Sequence, residues 1–252
     1  MAVFITGASS GLGAALARHY AAQGHVLGLL ARRGERLREL VATLSGVHHL
    51  YVVDVCDRPA LHAAAADFIQ QAGRVDIVIA SAGISAGTLT EQKDDFAVFK
   101  AIFDTNVFAT VSTFEPFVSH MKQARAGTLV GIASVAGVRG LPGAGAYSAS
   151  KSAVTTYCES LRLELKPFDV GVVTIAPGYI NTEMTAKNPY SMPFLLEADV
   201  FATRAARAIA QEQSYTVIPW QMGVVGKIMR ALPNWVYDRL AVNAPRKPRQ
   251  NP

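Results

Sequence analysis

The feature that most constrains the fold of this chain is a regular alternation of two kinds of segment. Short apolar runs rich in Val and Ile occur at Ala2–Thr6, Val26–Ala31, His49–Val53, Val75–Ala80, Thr128–Ala133, Val170–Ala176 and Tyr215–Ile218. They are apolar on both faces, as strands buried on both sides of a parallel sheet must be. Between them lie stretches with helical character at about 11–23, 34–44, 58–72, 94–123, 146–166 and 199–212. Gly24 and Gly73 follow the first and third of these, where helix ends favour glycine. Asp57 with Pro59 reads as a cap and first-turn proline. Parallel strands joined by helices need right-handed crossovers, which put helices on both faces. The pattern predicts an α/β fold: a doubly wound, three-layer, Rossmann-like parallel sheet of about seven strands. No Pro-, Gly- or Ser-rich linker and no repeat divides it, so a single domain over 1–252 is expected. The alternation fails over 183–198 and over 219–252.

Composition narrows the class. Half of the residues are hydrophobic and 17% charged, which excludes a disordered chain. The formal charge of +5 is concentrated at one end. Residues 219–252 hold Lys227, Arg230, Arg239, Arg246, Lys247 and Arg249 against the single acid Asp238, and the body is neutral. A nucleic-acid binder should carry a basic face within its fold, so no nucleic-acid partner is expected. Cys56 and Cys158 fit neither a metal spacing nor a disulfide framework. No apolar run is long enough for a spanning helix, and the first strand begins directly after Met1, leaving no room for a targeting peptide. The expected location is cytoplasmic. His19, His25, His48, His49, His62 and His120 lie away from every motif, and no metal site is expected.

Three motifs carry chemistry. Thr6-Gly7-Ala8-Ser9-Ser10-Gly11-Leu12-Gly13 joins the first strand to the first helix. Glycines there permit a tight turn and close approach of backbone to a pyrophosphate facing the helix N-terminus. Gly7, Ser9, Ser10, Gly11, Leu12 and Gly13 are therefore candidate dinucleotide contacts; the plain alternative is a tight turn that binds nothing. The second strand ends in Ala31-Arg32-Arg33, without the acid that would accept from a ribose 2′-OH. Arginine pairs instead with a 2′-phosphate, so NADP is expected over NAD, with Arg32 the first candidate and Arg33 the second. Asp54 and Val55 follow the third strand, where an adenine ring would lie. At the other end, Tyr147 and Lys151 share a helix face. A phenol titrates near ~10, and a neighbouring ammonium lowers that value. Ser134 ends a strand and can donate to a carbonyl oxygen as charge develops on it.

Taken together, Thr6–Gly13, Asn106, Ser134, Tyr147 with Lys151, and Pro177-Gly178 resemble, in order and spacing, the short-chain dehydrogenase/reductases. The resemblance covers about residues 2–182, and the strand at 215–218 fits the seventh strand of that family's sheet. It implies that Tyr147 is the general acid in reduction and the base in oxidation. Lys151 would lower its pKa and hold the nicotinamide ribose, and Ser134 would orient the substrate. Asn106 would distort the long helix so that a backbone carbonyl holds a relay water near Lys151. Pro177, Gly178, Ile180 and Thr182 would lie against the nicotinamide, and Ala82 and Gly83 against the adenine ribose. Where the family often has Asn-Ala-Gly, this chain has Ser81-Ala82-Gly83. A homodimer or homotetramer through the helices at 94–123 and 146–166 is also implied.

The expected activity is hydride transfer between NADP(H) and an apolar ketone, aldehyde or secondary alcohol. Met184, Tyr190, Met192, Phe194, Leu195 and Leu196 make the segment at about 183–198, where the family's substrate lid lies, distinctly apolar. A 3-oxoacyl-thioester reductase that uses its basic tail to steer an acyl carrier protein is the alternative within the class. A non-catalytic NADP-binding regulator is the alternative outside it. Residues 219–252 read as a basic amphipathic extension. Packing against the lid or a second subunit is preferred for it over peripheral membrane contact. The catalytic reading makes no use of it.

Overall fold

The computed structural model describes residues 1–186, 188 and 190–249. Seven strands form one parallel sheet: β1 (Ala2–Thr6), β2 (Val26–Ala31), β3 (His48–Val52), β4 (Ile77–Ala80), β5 (Thr128–Ile132), β6 (Gly171–Pro177) and β9 (Tyr215–Ile218). Their spatial order is β3-β2-β1-β4-β5-β6-β9. The sheet thus grows outward in both directions from β1 and β4. A pair of two-residue strands, β7 (Ile180–Asn181) and β8 (Leu196–Glu197), brackets the segment between.

Right-handed crossovers from a central strand put helices on opposite faces according to the direction of winding. Helices α1 (Gly11–Ala22), α2 (Gly34–Ala42) and α7 (Ala198–Ala210) cover one face. There Leu16, Tyr20, Leu37 and Phe201 pack on Val3, Ile5, Leu27 and Ile175. Helices α3 (Arg58–Ala72), α5 (Ala109–Ala124) and α6 (Gly145–Leu165) cover the other, where Phe68, Phe114, Phe117 and Cys158 pack on Phe4, Val78, Leu129 and Val172. Phe4 is the hub of this second core, with ring centroids 5.5 Å from Phe68 and 5.0 Å from Phe117. Both layers are aliphatic and aromatic, so the inner strands must be apolar on both sides, as their sequences are.

The helix expected over 94–123 is three pieces. It runs as α4 (Asp95–Phe103), one π turn at Asp104–Phe108, and α5. The tail forms two helices, α8 (Trp220–Ala231) and α9 (Asn234–Ala241), followed by extended chain. Asp57 caps α3 as expected, accepting from the Ala60 amide at 3.1 Å.

Candidate active site

A cleft of about 420 Å³ opens where the sheet reverses direction, between the C-terminal ends of β1 and β4. In open α/β sheets this is where a ligand can reach several strand ends at once. Gly7, Ser9, Ser10, Gly11, Leu12, Gly13, Arg32, Arg33, Val55, Ala82, Gly83, Ser134, Tyr147, Lys151, Pro177, Gly178, Ile180 and Thr182 all line it. Of the candidate residues, Asp54 and Asn106 stand just behind the wall.

One end is a backbone cradle. Gly7 has φ +68°, and a Cβ there would come within 2.8 Å of the Ala82 backbone. A Cβ on Gly13 would lie 2.4 Å from the Gly7 carbonyl oxygen. The turn therefore closes on itself, and β4 closes on it, only because both residues lack side chains. The Thr6 hydroxyl ties the two strand ends by accepting from the Ser81 amide at 3.2 Å. Ser81 thus takes part through its amide, whatever its side chain. The first-turn amides of α1, which have no partner within the helix, face the cleft at Gly11–Gly13. This arrangement fits a pyrophosphate, and with it a dinucleotide.

Beside the cradle stand the two arginines. The Arg33 guanidinium donates to the Ser10 hydroxyl and at 3.2 Å to Glu183. Arg36 also reaches Glu183, at 2.5 Å. Arg32 makes one long contact, 3.4 Å to Asp54. Asp54 also accepts from the Cys56 amide at 2.9 Å. Arg32 is thus loosely held and exposed, while Arg33 is tied across the cradle to the lid.

The other end holds the titratable groups. Ser134 leaves β5, and its hydroxyl accepts from the Ala136 amide at 3.1 Å. It lies beside the Tyr147 phenol on α6. Burial pushes that phenol above its ordinary pKa, while the Ser134 hydroxyl pulls it down. The Lys151 ammonium donates to the Ile132 carbonyl at 2.8 Å and sits 5.9 Å from the Tyr147 ring. Burial lowers Lys151 to about 8. The phenol's shift here comes from burial and the Ser134 hydroxyl. The ammonium is turned to the strand, and desolvation governs the tyrosine.

Asn106 sits at the centre of the π turn, fully buried. Its side-chain oxygen accepts from the Ile84 amide at 2.8 Å, and its amide donates at 3.0 Å both to the Ile84 carbonyl and to Ser150. It locks the end of β4 to the first turns of α6. Its own backbone carbonyl takes the Thr110 hydroxyl at 2.8 Å. The helix is distorted at the expected residue, and the side chain does the joining.

The largest departure from the sequence reading is the tail. Sequence reasoning left it outside the site, but the chain beyond α9 folds back onto it. The Lys247 ammonium lies 5.2 Å from the Tyr147 ring centroid and donates to the Ser85 hydroxyl at 2.6 Å. No short motif announces this, since the partners lie 162 positions apart. The lid contributes less than its composition suggests. Met184 lines the cleft and Tyr190 packs edge-on against Tyr179, but Phe194 and Leu195 are about half exposed.

The short chain dehydrogenase family model matches residues 1–192, and the chain belongs to that family. It is 36% identical over 240 residues to an uncharacterized oxidoreductase of Myxococcus xanthus, covering 94% of both chains. Among solved structures it is similar to a short-chain dehydrogenase of Sphingobium yanoikuyae in complex with NADPH. That match has TM-score 0.77 and 26% identity, and covers 92% of this chain and 96% of the other. It also shares its fold with a 3-ketoacyl-(acyl-carrier-protein) reductase of Brucella melitensis complexed with NADH. Here TM-score is 0.79 and identity 22%, over 86% of this chain and 96% of the other. The protein is an NAD(P)-dependent oxidoreductase.

Proposed function

We propose that this chain is an NADP-dependent carbonyl reductase acting on apolar ketones or aldehydes, with the corresponding secondary alcohols as its reverse substrates. One observation carries the reading. A half-buried tyrosine with a serine hydroxyl beside its phenol stands at one end of a cleft whose other end is a glycine cradle flanked by two arginines and no ribose-binding acid. The nicotinamide supplies the hydride when the cofactor is bound. Pro177, Gly178, Ile180 and Thr182 hold the carboxamide side, and Arg32 with Arg33 takes the 2′-phosphate. Ser134 positions the carbonyl oxygen by donating to it, and Tyr147 delivers the proton to that oxygen. The phenol is protonated near neutral pH, as the donor role in reduction requires. Lys151 holds the ribose hydroxyls and recharges the tyrosine, and Asn106 keeps α6 in register with β4.

The acyl-carrier reading loses two of the tail's basic groups, since Arg249 is neutralised by Asp95 and Lys247 is drawn to the site; Lys227, Arg230 and Arg239 stay exposed on α8 and α9. The exposed rings of Phe96 and Phe108 on the α4–α5 side suit a face for a second copy of the chain. The exposed outer face of α8 and α9, with Trp220, Ile228 and Trp235, suits a second such contact better than a membrane. The inner face of α8 is already packed, with Met222 against Gly178.

The test is NADPH oxidation across a panel of apolar ketones. Tyr147→Phe should lower turnover at least ~10²-fold, the usual worth of general acid catalysis, while binding NADPH as tightly as the parent. Equal background rates for both proteins would leave a cofactor-binding regulator as the better reading.

A further inference from the structure

The C-terminal strap is built to reach the site. Arg249 pairs by a parallel bridge with Gly87, in the loop that follows β4. The Gly87 amide donates to the Pro248 carbonyl at 2.9 Å. Gly87 must be glycine for this: a Cβ would lie 2.3 Å from the Lys247 carbonyl oxygen. The Arg249 guanidinium forks onto Asp95 at the start of α4, with Nε to Oδ2 and Nη2 to Oδ1 both at 2.9 Å. Asp95 is 4% exposed and also accepts from the Leu89 amide at 2.7 Å. Arg246 lies over Gly143, in the loop leading into α6. The strap is thus fixed on both sides of Lys247.

What is fixed is an ammonium with no counter-charge among the described residues. Arg249 has Asp95, but Lys247 forms no ion pair among the described residues; its partner is the neutral Ser85 hydroxyl. Among the described residues the one acid that lines the cleft, Glu183, is held at the phosphate end by Arg33 and Arg36. Around Tyr147 the charged groups are two ammoniums, Lys151 and Lys247. A half-buried cation without a carboxylate is costly unless something anionic joins it.

We propose that Lys247 recognises an anionic group of the substrate, specifically a carboxylate carried within a few bonds of the reacting carbonyl. This rests on the reductase reading above and narrows it: the substrate is an oxo acid whose apolar remainder lies toward the lid. Burial lowers the Lys247 ammonium to about 8, so it is still largely charged at neutral pH. A carboxylate would restore the solvation it has given up. The strap makes the tail a wall of the site, supplied by the far end of the chain.

The experiment uses the full chain with saturating NADPH and matched pairs of substrates: 2-oxo and 4-oxo acids with an apolar chain, each beside its own primary amide. For at least one pair the parent should favour the acid at least tenfold in kcat/KM. Lys247→Met should abolish that preference mainly through KM, and Lys247→Arg should restore it. Asp95→Asn, which loosens the strap without touching Lys247, should lower the preference too. Equal kcat/KM for acid and amide in the parent overturns the assignment alone. So does a Lys247→Met protein that loses both activities in equal proportion, since that marks a merely structural strap. If the parent reduces simple apolar ketones but no member of either pair, the assignment falls alone; if it reduces neither, the reductase reading falls first and the assignment with it.

Discussion

The two ends of the cleft are built by different means. The cradle end is made from neighbours in sequence: a strand, a glycine turn and a helix start within Ala2–Gly13, with Ala31–Arg33 alongside. The substrate end is made from parts that meet only in the finished fold. The loop after β4, the entrance to α6 and residues 246–249 of the tail converge there across more than 150 positions. The first end is rigid by sterics, since backbone packs on backbone. The second is held by one ion pair, one bridge and a few side-chain contacts. On the reading proposed above, the end that would bind the cofactor is local and steric, and the end that would select the substrate is assembled from distant residues and held electrostatically.

If the cradle is steric, a single methyl should break it. Gly13→Ala brings a Cβ to 2.4 Å from the Gly7 carbonyl oxygen, and nothing flexible stands there to yield. Overpacking of this kind costs ~1–3 kcal/mol or more. The expected result is a clear drop in melting temperature and a loss of NADPH binding of ~10²-fold or greater, read by thermal shift and fluorescence titration. Unaltered binding would show that the turn can relax, and the contrast between the two ends would lose its basis.

The arginines test the same end by charge. A charge-assisted hydrogen bond is worth ~1.5–3 kcal/mol, so replacing Arg32 and Arg33 together by Ala should weaken NADPH ~10- to 100-fold and NADH far less. The single variants separate their roles. Arg32 is loosely held and free to turn to a phosphate, while Arg33 already serves Ser10 and Glu183. Arg33→Ala should also leave Glu183 of the lid to Arg36 alone. A parallel loss for both cofactors would refute the 2′-phosphate assignment.

How far the sequence could be read follows the same division. Every strand of the main sheet lies within two residues of its apolar run, because a strand buried on both faces must be a continuous apolar word. The cradle was legible because three glycines, a strand and a helix start stand within a dozen residues. Tyr147, Lys151 and Ser134 were legible as a spacing, and they meet at the expected strand end. Two things were not legible. The direction of the Lys151 ammonium depends on the Ile132 carbonyl, which only β5 packing brings near. The tail's role depends on Gly87, Asp95 and Ser85, residues that carry no signal until Lys247 and Arg249 are laid against them. Charge counting found the basic tail but read it as an appendix, since a count has no direction.

The pH profile offers the finest cut between the two ends. Near Lys247 the ionisable groups are the Tyr147 phenol and the Lys151 ammonium, with Arg246, Arg249 and Asp95 on the strap's own contacts. The Arg249 guanidinium, raised further by Asp95, keeps its charge throughout the accessible range. Arg249 holds the Asp95 carboxyl below its ordinary value, so Asp95 stays ionised above the usual carboxylate range. Burial lowers both Lys151 and Lys247 to about 8, and it raises Tyr147. An ammonium with a lowered pKa is charged below that value and neutral above it. Recognition of a carboxylate by Lys247 should therefore be present at pH 7 and fade through about pH 8. Lys151 titrates in the same window, but it acts on acid and amide substrates alike. The ratio of their kcat/KM values, which reports on the free enzyme, cancels its effect and isolates Lys247. That ratio should fall by up to ~10-fold between pH 7 and 9, as one group loses its proton. In Lys247→Arg it should stay flat, because a guanidinium does not titrate there. A ratio that falls equally in both proteins would move the titrating charge from the strap to the cleft, making the substrate end as local as the cradle.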